Sequence, residues 1–163
     1  MKDADHLAAS WMRLLAGVLL SGAVTLASAQ TPPLSGTRTI AARYPFVQLV
    51  SRVEQAVEKH KLDVVAQASA SRGAASRGIK IPGNAVIMVF RNDYAVRMLN
   101  ASVPAGIEAP LRIYVTENSD GSASLTYRLP SAVFAPYASP VLDAMAKELD
   151  AIFETIVRNA TSG

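Results

Sequence analysis

The 163-residue chain contains no cysteine. That absence excludes disulfides, thiolate metal sites, iron–sulfur clusters and a cysteine nucleophile. Histidine is scarce. There are two, and only His60 lies beyond the first thirty positions. Charge is also sparse, at 18% of residues, with 16 Lys and Arg against 13 Asp and Glu. No run of Lys and Arg marks one face or stripe, as it does in nucleic-acid binders. No nucleic-acid partner is therefore expected. Hydrophobic residues make up 50% of the chain. That share excludes a disordered polymer, and the length suits one folded domain.

The apolar run LLAGVLLSGAVTL, Leu14 to Leu26, is shorter than the ~20 residues a spanning helix needs. Arg13 precedes it and Ala27-Ser28-Ala29 follows it. A basic start, a short apolar centre and a small-residue site form a secretory signal. Residues 1–29 are expected to be removed, leaving Gln30 first, in a periplasmic or secreted protein. No membrane span is expected after cleavage. The mixed charges of Lys2, Asp3 and Asp5 suit a signal poorly, and Met12-Arg13 offers a cleaner start. Loss of two basic and two acidic residues keeps the net charge at +3.

Residues 30–36, QTPPLSG, form a Pro/Gly/Ser linker, and 37–160 a single domain. Thr37 to Arg43 predicts a strand. Phe46 to Lys61 predicts an amphipathic helix, because Phe46, Leu49, Val50, Val53 and Val57 recur on one face. Leu62 to Val65 opens a second strand. Ala68 to Gly83 suits a short helix or a loop. Ala85 to Phe90, bounded by turn residues, predicts a central strand. Asp93 is placed to cap a helix over 94–100. Leu111 to Glu117 and Ser122 to Tyr127 alternate around Asn118-Ser-Asp-Gly121, a hairpin turn. Residues 130–140 connect to a second long helix over 141–159, whose apolar stripe is Leu142, Met145, Leu149, Ile152, Phe153 and Ile156. The order predicts an α+β two-layer sandwich, an antiparallel sheet covered by two long helices.

Chemistry is harder to place. His60 ends the first helix, where a cation suits the dipole. Ser/His/Asp catalysis would need it as base, and no Gly-x-Ser-x-Gly accompanies it. Neither a catalytic residue nor a metal ligand is assigned, and no cofactor is expected. Arg72 and Arg77 stand beside Gly73 and Gly78. Glycines let backbone N–H groups approach an anion and arginines grip oxyanions, although a solvated loop is the more ordinary account of them and no phosphate-loop Gly-Lys-Ser/Thr ending is present. Arg91, Arg97 and Arg112 are candidates to converge at one end of the sheet. Glu108 lies near a turn. Met88, Phe90, Met98, Phe134 and Tyr137 belong to the core or line a cavity.

The stretches HKLDVVAQ (60–67), RGIKIPGNAVIMVFRND (77–93) and VPAGIEAPLRIYVTENSDGSASLTY (103–127), with the closing helix, resemble the family called domain of unknown function DUF302. The resemblance implies a TATA-binding-protein-like α+β fold with the order β-α-β4-α, and it implies dimerisation. Family members often carry a histidine upstream of the Ala-rich stretch, where this chain has Ser69-Ala70. The expected function is non-catalytic binding of a small apolar or anionic ligand by Arg72, Arg77, Arg91, Arg112, Glu108 and Tyr137. The alternatives are a partner-binding or structural homodimer of the cell envelope, and an enzyme built on Glu108, Arg112 and Arg91.

Overall fold

The structure, a computed structural model, describes residues 33–162. The expected signal over 1–29, the start at Met12 and the first part of the linker lie outside the described residues. Five strands form one sheet: β1 (Thr37–Ala42), β2 (Asp63–Ala68), β3 (Asn84–Phe90), β4 (Leu111–Glu117) and β5 (Ala123–Arg128). Their order is β1-β5-β4-β3-β2, with every neighbouring pair antiparallel. Two long helices, α1 (Phe46–Lys59) and α5 (Pro140–Thr161), cover one face. The α+β two-layer sandwich is therefore as expected.

The strands divide their side chains by period two. Ala85, Ile87 and Val89 of β3 point to the helices, as do Ile113 and Val115 of β4 and Ala123, Leu125 and Tyr127 of β5. Leu49, Val53 and Val57 of α1 meet them, with Phe153, Ile156 and Val157 of α5. Burying each large side chain is worth about 1.5–3 kcal/mol. Among the described residues the other face lacks such a cover. Val86, Met88 and Phe90 are half-buried there, and Arg112 and Tyr114 are exposed.

Helix α1 ends two residues before its expected limit. Lys61 takes a left-handed φ of 59°. The Lys61 N–H donates to the Glu58 carbonyl and the Leu62 N–H to the Val57 carbonyl. That is a Schellman stop, with lysine where glycine is usual. Ala70–Ala75 forms a short helix, α2, capped by the Ser69 hydroxyl, which accepts from the Arg72 N–H. The next helix, α3 (Asn92–Ala101), starts earlier than expected. Asp93 does not cap it. That carboxylate sits inside the first turn, where both oxygens accept from Arg91 at 2.7 and 3.0 Å. A 3-10 segment, Val103–Glu108, leads from α3 to β4.

The expected connection over 130–140 is ordered as helix α4 (Pro130–Phe134) and a 3-10 turn, Ala135–Tyr137. Pro130 suits a first helical position. Phe134 is buried with Tyr94, Met98, Leu142, Met145 and Leu149, a second apolar cluster beside the first. Arg52 of α1 ties the two long helices together. Its guanidinium donates to the carbonyls of Asn159, Ala160 and Ser162 at the end of α5. Those carbonyls lack partners within their own helix.

Candidate functional site

The β4–β5 hairpin sets two cations side by side. Its turn, Asn118 to Gly121, uses a positive φ at Gly121, and the Asp120 carboxylate accepts from the Ser122 N–H and hydroxyl. Those bonds hold the Asp120 carboxyl below its ordinary value. The turn fixes the register, which runs from Glu117↔Ala123 to Ile113↔Tyr127. The ladder ends there, and the same register carried one step further sets Arg112 against Arg128, the last residue of β5. Both project from the face turned away from α1 and α5.

Arg112 and Arg128 line a cleft of about 390 Å³ at this end of the sheet. Tyr114 and Thr126 continue its floor, and Thr37 of β1, paired with Arg128, adds a hydroxyl. Leu34, Leu111 and Val133 supply apolar walls, and Glu108 closes one side. The Leu34 wall is held by a local bond, with the Thr37 N–H donating to the Leu34 carbonyl at 3.0 Å. The carbonyl of nearby Gly36 accepts from Leu129. This part of the expected linker is thus seated against α4.

Electrostatics in the cleft are unbalanced. Among the described residues the ion pairs are Arg91–Asp93 and Arg97–Glu148. Neither Arg112 nor Arg128 has a carboxylate partner there. Arg128 donates from Nη2 to the Ala132 carbonyl at 3.1 Å, while its Nε is shielded from solvent with no acceptor among the described residues. A buried donor without a partner costs about 1–3 kcal/mol. Glu108 accepts from the Tyr137 hydroxyl at 3.0 Å. Burial, then the Glu108 carboxylate, pushes the Tyr137 phenol above its ordinary value.

Of the six residues singled out from sequence, the structure brings Arg112 and Glu108 to this cleft, and Tyr137 reaches it through its bond to Glu108. It does not bring the other three. Arg72 lies exposed on α2 and donates to Gln67 at 2.9 Å. Arg77 is exposed in the turn after α2. Arg91 is bound to Asp93 and lies over the Tyr94 ring at 4.2 Å. Arg97 shares that ring and pairs with Glu148, so Arg91, Arg97 and Arg112 do not converge. A second cavity, beside Arg91, Phe90, Met98 and Phe134, measures about 40 Å³. It holds at most a few waters. His60 caps α1 with its Nε2 3.0 Å from the Asn159 amide. No three His, Asp or Glu side chains gather as a metal would need among the described residues.

Sequence inspection missed Arg128, Thr37, Thr126 and Leu34. A signal for Arg128 existed. Counting outward from the Asp120-Gly121 turn places it opposite Arg112, but the second strand was expected to stop at Tyr127.

The DUF302 profile, a domain of unknown function, matches residues 38–160. The chain belongs to the DUF302 family. Among solved structures, the DUF302 chain is similar to an uncharacterized conserved DUF302 protein from Bacillus stearothermophilus. The TM-score is 0.70 at 16% identity, over 77% of this chain and 98% of that one. At that identity the likeness shows the fold alone. No curated protein matches this DUF302 chain.

Proposed function

We propose that this DUF302 domain is an exported, non-catalytic binding protein that takes a small organic anion in the β4–β5 cleft. One observation carries this: Arg112 and Arg128 line the same cleft, on neighbouring strands, with no carboxylate partner among the described residues. Like charges directly opposite on a sheet destabilise it. An anion between them turns that repulsion into two charge-assisted contacts. The apolar walls suit a short hydrocarbon body.

Binding to the folded state must stabilise it, by about 2.7 kcal/mol at a hundredfold excess over Kd. The melting temperature of the purified protein is expected to rise with millimolar short-chain carboxylates. Arg112→Gln is expected to abolish the rise. A wild-type protein whose melting temperature ignores every carboxylate tried would sink the proposal. Export rests on the signal over residues 1–29, and the intact mass of the mature protein should begin at Gln30.

A second role is supported by the uncovered sheet face, where Val86, Met88, Phe90 and Tyr114 stand together on β3 and β4. A second copy packed there would give the homodimer that the family resemblance implies. Native mass spectrometry separates monomer from dimer. Catalysis by Glu108, Arg112 and Arg91 has less support, because Arg91 lines the other cavity.

A further inference from the structure

We infer that the ligand of this cleft is a zwitterion, an α-amino acid with an aliphatic side chain. This rests on the anion site just proposed and narrows its chemistry. The deciding residue is Glu108, the one carboxylate among the described residues that line the cleft. It ends the 3-10 segment Val103–Glu108, so its backbone is set by an ordered turn. Its Oε1 accepts from the Tyr137 hydroxyl at 3.0 Å, while Oε2 accepts no hydrogen bond among the described residues. Tyr137 thus orients the carboxylate and leaves it one free oxygen.

Glu108 also forms no ion pair with Arg112 or Arg128. The cleft therefore offers two cations on its floor and a separate anion at its side. A simple carboxylate satisfies the arginines but brings a second negative charge toward Glu108. A simple amine satisfies Glu108 and is repelled by the arginines. A dicarboxylate doubles the first conflict. An α-amino acid carries a carboxylate and an ammonium on one carbon, and so meets both sets of groups at once. The ammonium donates to Glu108, the carboxylate accepts from Arg112 and Arg128, and Leu34, Leu111 and Val133 receive the aliphatic side chain.

Three probes of one shape separate these cases: leucine, 4-methylpentanoate without the ammonium, and 3-methylbutylamine without the carboxylate. Calorimetric titration of the purified protein is expected to show leucine binding about tenfold tighter than 4-methylpentanoate, the worth of one charge-assisted hydrogen bond. The amine should bind weakest. Glu108→Gln should bring leucine and 4-methylpentanoate to the same affinity, Tyr137→Phe should reduce the gap, and Arg112→Gln should weaken both ligands. Equal affinities for the two acids in the wild-type protein, or tighter binding of 4-methylpentanoate, would overturn the zwitterion and leave the anion cleft standing. Failure of both acids to bind would overturn the cleft itself. The wild-type comparison needs no variant, so a misfolded substitution cannot obscure the result.

Discussion

At the residue scale, Gly36 shows how one position can shape the cleft. Its φ is 76°, and a Cβ there would collide with the Ala132 Cβ. Two independent demands, a left-handed backbone and a close approach to α4, therefore select glycine. Gly36→Ala is expected to destabilise the fold by about 1–3 kcal/mol, read from the urea midpoint. It should also weaken ligand binding, because Leu34 leaves the wall. An unchanged midpoint would show that the turn yields without cost. Glycine in QTPPLSG was readable as a linker residue, but its contact with Ala132, nearly a hundred positions away, was not. Lys61 is the reverse case. A left-handed lysine carries no sequence mark, and the helix was expected to run through it.

At the element scale, periodicity exposed the faces of α1 and α5 because one side of each helix had to be apolar. Of the six stripe residues expected on α5, Leu142, Met145, Leu149, Phe153 and Ile156 are buried, and Ile152 packs at the edge. Helix α4 escaped notice because its five residues span little more than one turn, too short to display a period. Candidate site residues were less legible for a related reason. Arg112 and Glu108 lie close in sequence, whereas Arg72 and Arg91 were joined to them by charge alone.

Helices α3 and α5 are strapped by Arg97 and Glu148, with N···O distances of 2.7 and 2.8 Å. The guanidinium holds the Glu148 carboxyl below its ordinary value. A carboxylate so held stabilises the fold above its unfolded pKa, and that contribution is lost as pH falls through the folded value. Glu148→Gln keeps the shape and removes the charge. The wild-type advantage in melting temperature at pH 7 is therefore expected to shrink below about pH 4.5 and disappear at lower pH. Both side chains are about half exposed, at 45% and 49%, so the advantage should be small and fade in salt. An advantage that persists to pH 2 would mean that Glu148 acts through shape and not charge.

At the scale of the whole molecule, two apolar clusters share one helix. Leu142, Met145 and Leu149 belong to the cluster with α3 and α4, and Phe153, Ile156 and Val157 to the one beneath the sheet. Neither cluster can lose α5 without exposing the other. Thermal unfolding is expected to be a single transition, with far-ultraviolet and tyrosine circular dichroism coincident. Tyr94 and Tyr127 report on the separate clusters. Two displaced transitions would show that the clusters melt independently. The sandwich was legible at this scale because strand and helix order follow from local pattern. The uncovered face was not, since alternation says which side chains share a side and not what lies against them.

Helix α5 is also the last element of the domain to be made. Until it emerges, the inner faces of β3, β4 and β5 have only half of their roof, and Tyr94 and Met98 have little to lie against. The order of synthesis thus leaves the nascent domain open from its first strand to its final turn. A chain that stops before residue 140 leaves those faces exposed. Release of the closing helix is what commits it to the folded state.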